Sequence, residues 1–91
     1  MLTRYTRHCL LKLELQESKK HSITKTLIDN ALRRPLYTDL THQGEVRSFG
    51  PLIKDLELCV VSRDEGGIIV VITFYPCKKG RYGKKESRSK N

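Results

Sequence analysis

The chain has 91 residues, of which 37% are hydrophobic and 31% are charged. This length allows one small domain with one sheet and one or two helices, and it excludes a second domain. The composition is typical of a folded protein. The formal net charge is +8, and residues 78–91 contain seven of the 18 cationic residues with a single acidic one. We therefore expect a nearly balanced body followed by a basic arm.

The three cysteines, Cys9, Cys59 and Cys77, are an odd number without a CxxC spacing. They do not indicate a disulfide framework, which favours a reducing compartment. The N-terminus has no apolar stretch typical of a signal peptide, so we expect a cytoplasmic protein. The longest apolar run, Ile68–Phe74, is far shorter than the roughly 20 residues that span a bilayer, so no membrane association is expected.

Two helical patterns precede the strands. Apolar residues between Arg4 and Lys20 recur at helical spacing and predict a first helix, with His8 beside its apolar stripe. Ser22 or Thr24 can cap a second helix, and Pro35 disfavours helical geometry at the residue before it and so ends this helix.

The second half of the chain predicts strands. Short strands are expected over 36–41 and 45–49, and Gly50-Pro51 predicts a loop. Two β-branched runs then flank Asp64–Gly67, which is typical of a hairpin turn because glycine allows positive φ. We therefore predict an α+β fold in which two N-terminal helices pack on a three- to four-stranded antiparallel sheet. Residues 1–82 would form this domain, and residues 83–91 a basic flexible tail.

The register of the hairpin decides which side chains share a face of the sheet. A three-residue loop, Glu65–Gly67, places purely apolar residues on one face, and we favour it over a two-residue loop at Glu65-Gly66. In this register Arg63 and Tyr75 share the other, open face, towards its opposite ends. The apolar face would contain Leu56, Leu58, Val60, Val70, Ile72 and Phe74.

The exit of the last strand combines aromatic and cationic side chains. Tyr75, Arg81 and Tyr82 cluster there with Lys78 and Lys79. Such a mixture suits RNA, because bases stack on aromatic rings while Lys and Arg pair with phosphates. The basic arm offers two further lysines as nucleic-acid-binding candidates, Lys84 and Lys85.

These features also have simpler interpretations. Residues 83–91 cannot bury apolar surface, which favours a solvated tail that aids solubility, whereas residues 78–82 leave both interpretations open. His8 can move a proton in phosphodiester cleavage, or it can be a hydrogen-bonded helix residue. Three scattered histidines without paired carboxylates or cysteines predict no metal site, and no nucleotide-cofactor motif occurs, so no cofactor is expected.

Several short motifs resemble a family of small prokaryotic domains of unknown function. The opening Tyr5-Thr6-Arg7-His8-Cys9-Leu10 is followed by a helix that starts at Lys20-His21-Ser22-Ile23-Thr24 and ends at Ala31-Leu32-Arg33-Arg34-Pro35. The strands at 58–61 and 71–76, followed by Arg81-Tyr82, are similar to the closing strands of that family. The resemblance covers residues 4–82, and the family looks related to the RelE/ParE and BrnT-like toxin superfamily.

This resemblance implies a RelE-like fold and metal-independent cleavage of RNA, in which the 2′-hydroxyl attacks the adjacent phosphate. His8 would then transfer protons, while Arg63 and Arg81 would stabilise the developing charge. Tyr75 or Tyr82 would stack on a base or take part in proton transfer. The implied partners are RNA, including ribosome-associated messages, and an antitoxin protein that silences the enzyme.

We therefore expect a toxin-type endoribonuclease of a toxin–antitoxin pair. The alternative is a non-catalytic nucleic-acid-binding or protein-interaction module. The two differ in whether bound RNA is cleaved.

Overall fold

The computed structural model describes residues 2–15, 19–53 and 55–79. These residues form five strands and two helices around one sheet. The elements in chain order are β1 (Leu2–Tyr5), α1 (Arg7–Leu13), α2 (Lys25–Arg33), β2 (Tyr37–Leu40), β3 (Val46–Pro51), β4 (Leu56–Glu65) and β5 (Ile68–Lys78).

The sheet has the order β1-β5-β4-β3-β2 and is mixed. Strands β2 to β5 form an antiparallel meander, and β1 pairs in parallel with β5. The chain is thus an α+β protein, but the predicted arrangement, RelE-like with two N-terminal helices on a three- to four-stranded antiparallel sheet, is wrong. A strand precedes both helices and adds a fifth, parallel member to the sheet.

The first predicted helix, between Arg4 and Lys20, begins too early because its first residues belong to β1, and it extends too far because α1 ends at Leu13. In β1, Leu2 and Arg4 are exposed while Thr3 and Tyr5 are half-buried, the alternation typical of an edge strand. Thr6 separates the two elements. Its Oγ1 accepts a hydrogen bond from the backbone N–H of α1's third residue at 3.1 Å and donates one to a carbonyl of β5 at 3.1 Å. The capping interaction therefore also joins α1 to the sheet.

The second helix begins directly after Thr24, one of the two predicted caps, and ends before Pro35 as predicted. Thr24 is its N-cap and accepts a hydrogen bond from the backbone N–H of Leu27 at 3.3 Å. The chain leaves helical geometry at Arg34, directly before Pro35. Neither helix of the described residues is long and apolar enough to cross a membrane.

Helix α2 approaches β3 very closely at one glycine. Gly50 and Pro51, which we predicted to form a loop, complete β3 instead. A Cβ atom placed on Gly50 would lie 2.7 Å from the Cβ of Ala31 in α2. Only a residue without a side chain fits this contact between helix and sheet.

The β4–β5 hairpin turns at Gly66 and Gly67, whose φ values are +63° and +89°. Both predicted loops are wrong, because Glu65 pairs with Ile68 and the two glycines alone form the turn. The register of the two strands then shifts once, between Val61 and Ser62. The shift leaves Ile72 as an extra residue on β5, which is a β-bulge. The predicted apolar face is therefore correct for Phe74 and wrong for Val70 and Ile72, because Val71 takes the position on the helix-covered face.

Each face of the sheet has its own apolar cluster. Leu58, Val60, Val71 and Phe74 pack with both helices on one face. The face opposite to the helices, which we call the open face, carries a second cluster of Phe49, Cys59, Val61 and Cys77. Half-buried aromatic side chains adjoin this second cluster, and they define the candidate site.

Candidate functional site

A row of four side chains crosses the open face at right angles to the strands. Tyr37, Phe49, Cys59 and Tyr75 are directly opposite one another on β2, β3, β4 and β5. The two central residues are fully buried, whereas the two tyrosines at the ends are half-buried. Because neighbouring strands are about 4.8 Å apart, the two tyrosines are separated by roughly 14 Å.

Tyr37 is held in place at the β2 end of the row. Its ring stacks on Phe49 with a centroid distance of 4.4 Å and an interplanar angle of 16°. Its hydroxyl donates a hydrogen bond to the carboxylate of Glu57, which is only 4% exposed. The stack and the hydrogen bond together fix the orientation of the Tyr37 ring at this end of the row.

Arg47 is a fixed cation beside this row. Its Nε and Nη2 donate to the two carboxylate oxygens of Asp39 at 2.6 and 2.7 Å, a bidentate pair. The hydrogen bond to Asp39 raises the pKa of Arg47, burial opposes this, and a hydrogen bond with Tyr75 adds to the increase. The guanidinium therefore stays charged and links the Asp39 pair to the tyrosine at the other end of the row.

Lys12 approaches the same tyrosine from α1. Its Nζ donates to Thr73 Oγ1 at 3.1 Å and lies 5.9 Å from the ring centroid of Tyr75. It also lies 5.4 Å from the ring of Phe74. An ammonium group within about 6 Å of an aromatic ring is attracted by the ring's electrons. Lys12, close to the ring, and Arg47, through a hydrogen bond, therefore both place positive charge beside Tyr75.

His8 belongs to the same side of α1 as Lys12. Residues four apart on a helix are neighbours, with Cβ atoms roughly 6 Å apart, and His8 is exposed. The structure therefore brings two of the predicted site residues, His8 and Tyr75, to the neighbourhood of Lys12.

Arg63 is not part of this group. It shares the open face with Tyr75, as we predicted, but it lies four residues beyond Cys59 along β4, a distance of about 13 Å. Its guanidinium donates to Glu65, which also pairs with Arg4 at 3.6 Å. Arg63 is thus engaged at the hairpin end of the sheet, away from the Tyr75 end of the aromatic row.

The predicted basic arm is described only at its start. Lys78 and Lys79 are exposed at the end of β5, and the backbone N–H of Lys79 donates to a carbonyl before β4 at 2.8 Å. Four further predicted site residues lie outside the described residues: Arg81, Tyr82, Lys84 and Lys85. In the described part of the chain, no three His, Cys, Asp or Glu side chains are grouped so that they could hold a metal ion.

No family model, curated protein or solved structure matches this chain. The resemblance to RelE/ParE and BrnT-like toxins therefore has no support beyond the short motifs that suggested it. The function has to be argued from the open face itself.

Sequence reasoning missed three residues of this site, namely Lys12, Tyr37 and Arg47. Lys12 is a polar residue within the predicted first helix, and Tyr37 and Arg47 lie in the short strands predicted over 36–41 and 45–49, whose partners the sequence does not show. The spacing between Tyr37 and Asp39 indicates that they share a face, as do residues i and i+2 of any strand. Their position opposite Phe49 and Arg47 depends on the pairing of β2 with β3, which the sequence does not show.

Proposed function

We propose that this protein binds single-stranded RNA across the open face of its sheet. The observation that carries the proposal is the row from Tyr37 to Tyr75, with a half-buried tyrosine at each end. Arg47 and Lys12 add positive charge beside the second tyrosine. Aromatic platforms flanked by cations bind single strands because bases stack on the rings while the cations neutralise phosphates.

The geometry favours a single strand over a duplex. Bases in a duplex are stacked on each other and cannot offer a face to a tyrosine ring. An extended strand that crosses the β-strands meets both tyrosines in turn, about 14 Å apart. The exposed Lys78 and Lys79 add positive charge at the end of β5 and directly after it, although Lys78 pairs with Leu56 and so lies on the helix-covered side of the sheet.

Fluorescence anisotropy with a labelled single-stranded RNA, its duplex form and a DNA strand of the same sequence tests the proposal. We expect the single-stranded RNA to bind most tightly. If Lys12, Lys78 and Lys79 each contact one phosphate, the logarithm of the binding constant falls with the logarithm of salt concentration with a slope of about −2. Equal binding of duplex and single strand would contradict the stacking geometry.

Two substitutions separate stacking from charge. Tyr75→Leu removes the ring and should weaken binding roughly tenfold, whereas Tyr75→Phe keeps the ring and should bind within about twofold of the parent. Lys12→Gln should make the salt slope shallower by about 0.7. Lys20→Gln removes the same charge from an exposed position outside the site and is the matched control. Unchanged binding of both Tyr75→Leu and Lys12→Gln would exclude the open face as the RNA site.

A second candidate function is cleavage of the bound RNA by a toxin-type, metal-independent ribonuclease with an antitoxin partner. It is favoured by the position of His8, one helical turn from Lys12. The 2′-oxygen would attack the phosphorus and the 5′-oxygen would leave, with His8 moving a proton and Lys12 stabilising the phosphorane charge.

Expression from a tightly repressed promoter tests this second candidate. Growth arrest, with RNA fragments that end in a cyclic phosphate, is the expected result. Cleavage of RNA by the protein should persist in the presence of a chelator. His8→Ala should relieve it, whereas the exposed His42→Ala in the β2–β3 turn should not. If the protein binds RNA but the RNA stays intact, cleavage is excluded and only the binding function remains.

A further inference from the structure

Strand β1 lies at one edge of the sheet and has a neighbouring strand on one side only, which is β5. The backbone N–H of Thr6, directly after β1, donates to the carbonyl of Val71 at 3.1 Å. Since backbone groups of successive residues in a strand point to opposite sides, those of Thr3 and Tyr5 face outwards. They have no hydrogen-bond partner in the described part of the chain. The outer edge of β1 can therefore pair with a further strand.

A groove of about 440 Å³ runs beside this edge, between β1 and the first half of α2. Its lining comes from three residues of the strand and three of the helix, namely Leu2, Thr3, Tyr5, Lys25, Thr26 and Asp29. Thr3 Oγ1 is the only buried side-chain polar atom without a hydrogen-bond partner among the described residues. Buried polar groups are nearly always paired, so Thr3 has incomplete hydrogen bonding in both its backbone and its side chain.

The groove carries an unpaired positive charge. The exposed Lys25 places its Nζ atom 5.4 Å from the ring centroid of Tyr5, across the groove from helix to strand. Within the described residues this ammonium group forms no ion pair, because the nearby Asp29 pairs with Arg33 at 3.8 Å on its own helix. A carboxylate that enters the groove can therefore pair with Lys25.

The opposite side of β1 is also positive. Arg4 pairs with Val70 and so lies on the open face, where its guanidinium is 3.6 Å from the carboxylate of Glu65. Arg63 binds the same carboxylate, so two cations share one anion. Beside them Leu2 is 69% exposed. A strand added to β1 thus meets excess positive charge on both of its sides and an apolar side chain on one.

We propose that an extended, acidic peptide segment of a partner protein adds to the sheet along β1 and occupies this groove. Pairing of this kind derives affinity from main-chain hydrogen bonds and specificity from alternate side chains. A peptide offers both N–H and C=O groups to the edge, whereas phosphates offer only acceptors and leave the outward carbonyls of β1 without donors. The proposal does not depend on RNA binding, because no residue of the row from Tyr37 to Tyr75 lines the groove.

Charge excludes this chain itself as the occupant. A second copy that paired its β1 with this one in antiparallel fashion would bring two Arg4 side chains together, and each chain has a formal net charge of +8. Residues 80–91 contain five cationic residues and one acidic residue, so the positive groove repels them as well. An acidic partner is the occupant that complements both sides of the strand.

Nuclear magnetic resonance titration of the full chain with three forms of one peptide tests the pairing. The parent peptide consists of three Glu-Val repeats with blocked ends, and the other two forms carry N-methyl groups on every Glu or on every Val. We expect the parent to shift the backbone amide signals of Thr3, Tyr5 and Lys25. In an added strand only one alternate set of amides faces β1, so one methylated form should bind at least tenfold more weakly and the other within about twofold of the parent. Equal binding of the two methylated forms, or signal shifts confined to β2 at the other edge, would overturn the proposal.

A second titration tests the charge of the groove. Lys25→Gln should weaken binding of the Glu-Val peptide by up to about fivefold and leave binding of a Gln-Val peptide unchanged. The control is Lys20→Gln, which removes the same charge from an exposed position outside the groove and should leave both peptides unaffected. Equal weakening by the two variants would indicate a general attraction to a basic protein and would refute the assignment to the groove. Tighter binding of a Lys-Val peptide than of the Glu-Val peptide would refute it too.

Discussion

Replacing Gly50 by alanine tests how closely α2 packs on the sheet. The new Cβ would lie 2.7 Å from the Cβ and 3.0 Å from the Cα of Ala31, whereas carbon atoms in favourable contact are about 3.5–4.0 Å apart. The helix backbone must therefore move by the better part of an ångström, which disturbs the buried Ile28 on the same helix. Overpacking of this kind costs about 1–3 kcal/mol, and we expect about 2 kcal/mol. If α2 did not contact Gly50, alanine would instead stabilise the protein by about 0.4–1 kcal/mol, because it reduces the conformational entropy of the unfolded chain.

Urea denaturation measures this effect directly. A loss of about 2 kcal/mol lowers the unfolding midpoint by roughly 1–2 M for a domain of this size. The control is Gly50→Ala combined with Ala31→Gly, which moves the methyl group across the interface. In the Ala31→Gly background the same change should cost less than about 1 kcal/mol, because only the 3.0 Å approach to the Cα of residue 31 remains, so the two changes couple favourably by about 1–2 kcal/mol. A midpoint that rises in Gly50→Ala, or a double variant without coupling, would refute the close contact.

Three further predictions concern local contacts. Thr6→Ala removes the cap of α1 and the hydrogen bond from Thr6 to β5, and it should lower the free energy of unfolding, measured by thermal denaturation, by about 1–2 kcal/mol. Thr6→Ser keeps the hydroxyl and should retain most of this stability. Arg47→Lys loses the bidentate bond to Asp39 and should lower the free energy of unfolding by about 1 kcal/mol in the same measurement. If Arg47→Lys lowered it equally in an Asp39→Asn background, the loss would not come from the Arg47–Asp39 pair. Burial raises the pKa of the thiols of Cys9 and Cys59 from 9.0 to about 11. Their contribution to stability is therefore complete below about pH 9 and is lost between pH 9 and 11. The urea midpoint should fall less over this range in Cys9→Ala/Cys59→Ala, and equal falls in both proteins would contradict the assignment.

The parts of the fold that could be predicted are those with strong local signals. Helix α2 has a threonine cap at Thr24 and a proline stop at Pro35, and both act within one turn of the helix. The β4–β5 hairpin is marked by adjacent glycines with positive φ. Strand β1 could not be predicted, because four residues carry little pattern and the partner of β1 lies about 66 residues away. Helical spacing in the residues that follow extended the predicted helix backwards over the strand.

The candidate site was harder to predict than the fold because it depends on register. The position of Tyr75 among basic residues predicts it as a site residue, whereas Tyr37 and Arg47 can be assigned to the site only once the residues opposite them are known. The β-bulge at Ile72 illustrates the difficulty, since one extra residue reverses the face of every side chain beyond it. The bulged Ile72 accepts a hydrogen bond from Thr6, which is 66 positions away in the sequence, and no local pattern contains such a contact.

The parallel pairing of β1 with β5 has a consequence for synthesis on the ribosome. The meander from β2 to β5 can form from neighbouring segments, but β1 has to wait until β5 has been made, about 66 residues later. At typical rates of 5–20 residues per second this delay is roughly 3–13 s. During that interval β1 has no strand to pair with, and once β5 has been made, the outer edge of this apolar strand can pair with other chains until β1 joins it. The first strand of the sheet in chain order is therefore the last to find its partner, and its pairing covers an edge at which nascent chains could aggregate.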